Sequence, residues 1–423
     1  MNSVEIKLKI FLIWIYVALA IFQGNTVYIF LTKSNQVVII ISLVVLALIV
    51  GISGKIEIQR KTKRVLLLYL VLDVVILSLI NYSTPSMFFL TLSFSLLLIV
   101  FQSRENIILF LKVLSDQIFV IAFISLLFWL LTNIFGVIHA SRIYSQGAIP
   151  WGHNVYATVH NIYFYINNYI VQKNIIGAVF ANTAIFTEGP MYAYLLVIAL
   201  FYEMNFNEKP NKYKMIVIMI TSFTVFSDNA YIGVFFCIAF YWYLHHGNSS
   251  LRSFIIIAMV LVMGIAVVSM ILYQKSIVKN ASFQIRLDDM LANLRAFIHH
   301  PLLGVGFNNA RGLDVYRNRA YIVNASNSSG FLGILAYGGL LWGIWYIIPF
   351  IKAIIDILQT HQNYFDRMMN GFIILTTILL LNVSIHDRII SFIICAISWG
   401  YILNKKNTET YFIDGGDKSL CKK

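Results

Sequence analysis

Apolar runs recur from one end of the chain to the other, each followed by a short polar break. Most are long enough to cross the roughly 30 Å hydrocarbon layer as a helix. Inside lipid, only helices and closed barrels satisfy their own backbone groups. The runs are continuous and lack the in–out alternation of a barrel strand. The pattern therefore predicts an all-α polytopic membrane protein, one integral domain over 1–423. About twelve transmembrane helices are expected, at 9–30, 36–53, 65–81, 86–101, 117–138, 189–204, 214–227, 229–245, 253–273, 330–350, 371–385 and 389–403. The opening "MNSVEIKLKIFLIWIYVALAIF" has the basic start and apolar middle of a signal peptide. No small-residue cleavage site follows and a second apolar run comes soon after, so it reads as a retained first span.

Lysine and arginine set the expected orientation. With the N-terminus inside, the basic breaks "GKIEIQRKTKR" (Gly54 to Arg64) and "NEKPNKYK" (Asn207 to Lys214) and the tail 404–423 all fall in the cytoplasm. Outward turns such as "NYSTPS" (Asn81 to Ser86) carry almost no charge. Two stretches break the rhythm, 139–187 and 274–329, and both fall outside in this topology. Long ordered loops of this kind are usually functional. Five spans precede the first loop, four separate the two, and three follow, which is unlike the repeat of many transporters.

The first outer loop, "HASRIYSQGAIPWGHNVYATVHNIYFYINNYI", is dense in Tyr, Trp, His and Asn and includes Arg142 and Trp151. Aromatic faces beside amides suit sugar rings, and they equally suit an aromatic belt at the membrane interface. In the second, a helix over Ser282 to His299 sorts Phe283, Leu287, Met290, Leu291, Leu294, Phe297 and Ile298 onto one face. Arg286 borders that face on one side, and Asp288, Arg295 and His299 on the other. Such a helix is expected to lie flat on the outer leaflet. It must stop near His299, because Pro301 disfavours helical geometry at His300. Gly304 and Gly306 then permit a tight turn.

Charge sharpens this picture. Only 12% of residues are charged and 59% are hydrophobic, yet the formal net charge is +13. In a soluble protein that excess would suggest nucleic acid; here its first reading is topogenic, and no nucleic-acid partner is expected. The second outer loop nevertheless holds seven Lys/Arg against three Asp on the side where topology prefers none. Its arginines, Arg286, Arg295, Arg311, Arg317 and Arg319, match phosphate oxygens through paired hydrogen bonds. A lipid-linked pyrophosphate is the polyanion expected there. Cys237, Cys395 and Cys421 are too scattered to form a disulfide framework or a zinc site.

"RLDDMLANLRAFIHHPLLGVGFNNARG" followed by "NSSGFLGILAYGGLLWGIWYIIPF" resembles the signature region of O-antigen ligases and Wzy-type O-antigen or capsular polysaccharide polymerases. The shared frame is an arginine, a helix, an h-P-L-x-G-x-G turn, an asparagine (Asn308 here) and a glycine-rich span. "IFTEGPMYAYLLVIAL" also resembles the polymerases' F-T-E-P segment, with Gly189 inserted. The resemblance implies a GT-C-like, metal-independent and cofactor-free inverting glycosyltransferase. It would extend undecaprenyl-pyrophosphate-linked glycans at the outer face of the bacterial cytoplasmic membrane, alongside a flippase and a chain-length regulator. The ligases' base, a histidine before the last-loop asparagine, is replaced by Ser326 before Asn327. Their Ser-Arg pair reads Ser227-Asp228, while their arginine at the start of the second loop persists as Arg286. These departures favour polymerase over ligase.

In the expected reaction an acceptor hydroxyl attacks the anomeric carbon and the pyrophosphate lipid leaves. Arg286 is the first candidate to stabilise the departing charge, and Arg295 the second. Glu188, Asp228, His299 and His300 are the candidate bases, and sequence alone does not choose among them. Asp73 is a further intramembrane ionisable residue with no partner in the pattern. The competing class, a flippase or carrier, would show short outer loops, an internal repeat and mid-span charges. Apart from Asp73, the sequence has the opposite on each count.

Overall fold

The computed structural model describes residues 3–32, 34–52, 58–80, 85–137, 141–143, 157–159, 165–174, 177–246, 280–307, 309–318, 329–359 and 363–404. Fourteen α-helices lie among them: α1 (Ser3–Gln23), α2 (Val27–Thr32), α3 (Asn35–Ile52), α4 (Arg60–Ile80), α5 (Pro85–Val100), α6 (Arg104–Asn133), α7 (Gly189–Phe201), α8 (Lys212–Thr224), α9 (Asp228–His246), α10 (Asn280–His299), α11 (Ala310–Asp314), α12 (Gly330–Ile357), α13 (Tyr364–Leu380) and α14 (Ile389–Asn404). By length and composition, α3, α6 and α12 are apolar enough to cross a membrane. The chain is therefore mostly helical, in the manner of a helical membrane protein. The expected ninth span, 253–273, lies outside the described residues.

At the centre stands α7. Its sequence is apolar all round, and every residue from Met191 to Phe201 is buried, as expected of a helix without a polar face. Helices α6, α8, α9 and α13 pack around it. A π-helical turn, Tyr202–Phe206, extends it. There Glu203, 1% exposed, accepts from Ser115 Oγ at 3.0 Å and Asn207 Nδ2 at 2.8 Å. Lys214 joins this group by pairing with Asp116 and Glu203.

The all-α expectation misses one element. Four antiparallel strands, β1 (Ser141–Ile143), β2 (Ala157–Val159), β3 (Tyr165–Asn174) and β4 (Gly177–Ala184), form a sheet in the first long loop, in the order β1-β2-β3-β4. The end of β4 is clamped onto the bundle. Asn182 Nδ2 donates to Ser125 Oγ at 3.3 Å and Thr224 Oγ1 at 3.2 Å, and Ser125 in turn meets the Tyr192 hydroxyl at 2.8 Å. Strand β4 thus delivers the chain directly to the start of α7.

Two expected spans are corrected. The first does not run unbroken over 9–30: α1 stops at Gln23, and Asn25 adopts φ +59° before α2 begins. The eleventh begins and ends earlier than 371–385, at Tyr364 and Leu380. Asn363 caps its start by accepting from the Asp366 amide at 2.8 Å. Val383 and Ile385 are buried but not helical, which is why their hydropathy extended the span on paper.

The turn after α10 seats in a break in α12. Within α12, Gly339 has φ +61° and ψ −157°, so its helical ladder is interrupted. The freed carbonyls of Ala336 and Tyr337 accept from the amides of Val305 (2.8 Å) and Gly306 (3.0 Å). In return the amides of Leu340 and Leu341 donate to the carbonyls of Pro301 (2.8 Å) and Leu302 (3.2 Å). Both partners need glycine. Gly304 sits at φ +65°, where a Cβ would lie 2.5 Å from the Ala336 carbonyl oxygen, and a Cβ on Gly339 would strike the Leu302 carbonyl. Small residues Ala292 and Ala296 on α10, with Leu313, Ala336 and Tyr337, fill the seam.

Replacing Gly304 tests this docking. Gly304→Ala forces a left-handed side chain, a strain of about 1–3 kcal/mol before its overlap with α12 is counted. The variant is expected to melt below the native protein in detergent. An unchanged melting temperature would rule out the seated turn.

Candidate functional site

A chain of contacts links the ends of seven helices. Gln23, at the end of α1, accepts from the Ile389 amide at 2.8 Å and reaches the Asp387 carbonyl at 3.5 Å. The Asn25 carbonyl accepts from both the amide (2.9 Å) and hydroxyl (3.0 Å) of Thr187, just before α7. Asn229, in the first turn of α9, donates to the Leu379 carbonyl at 3.2 Å near the end of α13. Ser329, the N-cap of α12, donates to the Leu381 carbonyl at 2.9 Å. Gly189 packs against Val225 and lies beside Ser227, which brings the start of α9 next to that of α7.

Glu188 occupies the N-cap of α7, and its carboxylate makes no capping hydrogen bond. The side chain is surrounded by protein yet keeps a partly open surface. Burial pushes its carboxyl up to about 7, against the opposing pull of the Arg286 and Arg388 guanidinium groups. Those arginines come from separate segments: Arg286 is exposed on α10, and Arg388 lies just before α14. A carboxyl balanced near neutrality between two cations can exchange a proton at physiological pH. The cations beside it suit an anionic ligand.

Arg388 belongs to the run His386-Asp387-Arg388 between α13 and α14. Its Nε lies 3.3 Å from Asp387 Oδ1. Burial works to raise the Asp387 carboxyl, but Arg388, His386 and a backbone hydrogen bond together hold it below its ordinary value. His386 is buried and stacks on Tyr337 with ring centroids 5.3 Å apart. Burial lowers its affinity for a proton, with Asp387 opposing that and Arg388 adding to it. Tyr337 is also the residue whose carbonyl receives the docked turn.

Of the residues chosen from sequence, Glu188 and Arg286 come within electrostatic reach of each other. Asp228, the first residue of α9, borders the same junction. The others have different places. His299 and His300 flank Tyr316, one stacked at 5.5 Å and the other 3.0 Å from its hydroxyl. Arg295 donates to the Tyr316 carbonyl at 3.3 Å, and Asp288 accepts from the Asn318 amide. This border of α10 holds the segment after α11. Arg311 is exposed on α11. Arg317 is buried between Asp289 (3.1 Å) and Asp314 (2.7 Å), so its charge is spent inside the fold. Asn308, Arg319, Asn327 and Trp151 lie outside the described residues, as do the side chains of Arg142 on β1 and Asp73 on α4. Among the described residues, no group of His, Cys, Asp and Glu is arranged to hold a metal ion.

Sequence reasoning missed Arg388. Its signal was present: three successive polar residues, His386-Asp387-Arg388, in a short break between two apolar runs. No protein-family model matches this chain, and no curated protein matches it.

Two outcomes test these assignments. The Glu188 carboxyl binds a proton more tightly folded than unfolded, so it adds stability below its ordinary value near 4.5 and loses that contribution as pH rises through about 7. Glu188→Gln is therefore expected to melt with the native protein at pH 4.5 and above it at pH 8. A constant difference across that range would contradict the raised value. For the ion triad, Arg317→Ala leaves two carboxylates uncompensated and should cost about 3–5 kcal/mol, whereas exposed Arg295→Ala should cost under about 1 kcal/mol in the same denaturation series.

Proposed function

We propose that this protein is a polysaccharide polymerase, joining oligosaccharide repeat units carried on undecaprenyl pyrophosphate at the outer face of the bacterial cytoplasmic membrane. The observation that carries the reading is Glu188, held near neutrality beside Arg286 and Arg388. Glycosyl transfer from a pyrophosphate lipid needs a base for the acceptor and cations for the leaving group, and this site offers both.

In the reaction, Glu188 takes the proton of an acceptor hydroxyl as that oxygen attacks the anomeric carbon of the growing chain. The bond from that carbon to the pyrophosphate oxygen breaks on the opposite face, so the configuration inverts. Negative charge gathers on the departing pyrophosphate, where Arg286 and Arg388 meet it. Preorganised charge of this kind is usually the largest single catalytic contribution, and the base adds about 10²–10⁴-fold. Asp387 positions Arg388 through its 3.3 Å contact.

The membrane arrangement belongs to the same proposal: about twelve spans, a GT-C-like plan, both termini in the cytoplasm and the site facing outward. The apolar face of α10 supports it. Leu287, Met290, Leu291, Leu294 and Ile298 are all exposed, and Leu302 extends the stripe past the helix end. An amphipathic helix of this kind lies in the interface, with its cations at headgroup height. A lipid-borne pyrophosphate would arrive at the level of Arg286.

Purified protein in liposomes, supplied with lipid-linked repeat units, is expected to produce a ladder of longer glycans. Movement of single repeats across the bilayer without elongation would favour a transporter. Transfer to a different acceptor in one step would favour a ligase. Arg286→Ala and Arg388→Ala should each reduce elongation at least about a hundredfold, the scale of losing one preorganised donor, with expression unchanged. Elongation at the native rate in either variant removes that arginine from the leaving-group role.

A further inference from the structure

Three side-chain atoms on segments tied to the junction that holds Glu188 are sealed from solvent and make no hydrogen bond: Asn25 Oδ1, Asn229 Oδ1 and His386 Nδ1. Their residues are 4%, 1% and 5% exposed. Buried polar atoms without a partner are rare, and each calls for an explanation. These three come from three segments, and each segment is tied to the junction of helix ends. Asn25 is bonded through its carbonyl to Thr187, the neighbour of Glu188. His386 precedes Asp387, whose carbonyl meets Gln23. Asn229 is fixed through its amide nitrogen to Leu379, which leaves the oxygen over.

We propose that Asn25, Asn229 and His386 form a subsite that receives hydroxyl groups of a polyhydroxylated ligand beside Glu188. The two amide oxygens are acceptors and the ring nitrogen accepts or donates with its tautomer, so the missing partner must offer donors to the amides and a group such as a hydroxyl, able to act either way, to the ring. A metal ion would also satisfy them, but the guanidinium groups of Arg286 and Arg388 beside Glu188 oppose a cation there. A sugar presents several neutral O–H donors at the spacing of a ring and meets no such repulsion. Naming this ligand the acceptor glycan rests on the polymerase reading. The subsite would then choose the acceptor and present one hydroxyl to Glu188, while the arginines hold the donor's pyrophosphate.

Two substitutions remove the acceptors with little other change. Asn25→Gly keeps the backbone at φ +59°, which glycine adopts freely, and keeps the carbonyl that holds Thr187. His386→Phe keeps a flat ring against Tyr337. The probe is the repeat-unit glycan released by mild acid from the host's own polyprenyl pyrophosphate pool, radiolabelled and dialysed against the full-length protein in detergent. Saturable binding is expected, weakened about three- to tenfold in each variant, the worth of one ordinary hydrogen bond. Melting close to the native temperature would show the fold intact.

Binding equal to the native protein's in both variants would mean that the bare atoms hold trapped water, and it overturns the subsite. No saturable binding by the native protein overturns it as well. Failure of the polymerase reading looks different: the glycan binds and the variants weaken it, yet the native protein builds no ladder in liposomes.

Discussion

The arrangement depends on an exchange of backbone hydrogen bonds between the turn at 301–306 and the interruption in α12. A helix broken in a membrane protein leaves donors and acceptors that lipid cannot satisfy, at several kcal/mol each. Here the break is repaired from outside the helix: two carbonyls and two amides of α12 pair with two amides and two carbonyls of the turn. The same four bonds fix where α10 ends. Because α10 also leans on α12 through Ala292 and Ala296, its start is held in a set direction. Arg286, a residue on a loop helix, thereby comes within reach of Glu188, a residue at the head of the central helix. Tyr337 links this repair to the second arginine, since its carbonyl receives the turn and its ring lies against His386.

Glu188 needs opposing influences. Burial strengthens its carboxyl's hold on a proton, and the two arginines weaken it. The site sets one against the other and leaves the group near neutrality. The two arginines come from different segments, one from α10 and one from the turn before α14. A single loop carrying both would not link the carboxyl's proton affinity to the assembly of the bundle.

Much of the fold was legible in the pattern of apolar residues, because the requirement for continuous backbone bonding in lipid leaves helices as the reading of a long apolar run. The end of α10 was legible for a local reason, Pro301 and the two glycines. Boundaries failed where hydropathy and helicity part company. Thr26 and Val27 are buried at the break after α1, and Val383 and Ile385 are buried outside α13, so a count of apolar residues passes straight through both corners. The sheet over 141–184 was hidden by its aromatic, amide-rich composition, which suggested a surface and not a register. Within the site, Glu188 and Arg286 were found from chemistry and motif and Arg388 had a local signal in its polar run, while Asn25 and Asn229 are defined by contacts between residues far apart in sequence. No local signal encodes the bond from Asn229 to Leu379.

The arginines of the second loop show why a charge count is a weak guide to a binding surface. Read as a line, they form one cationic group. In space they divide by their surroundings: Arg317 meets two carboxylates in the interior, Arg295 meets a carbonyl of its own loop, and Arg286 lies exposed within electrostatic reach of the Glu188 carboxyl. The internal pair of aspartates decides the first of these, since a buried arginine without them would be prohibitively costly. Beneath the site the packing consumes polar groups in a similar way. Pro349 lacks the amide that would bond the Trp345 carbonyl, and Trp399 Nε1 (2.8 Å) and Cys395 Sγ (3.4 Å) take its place. The cavity beside them, about 20 Å³, has room for about one water. Where the helix ends converge near Glu188 the packing does not consume them all, and the amide oxygens of Asn25 and Asn229 are left without donors.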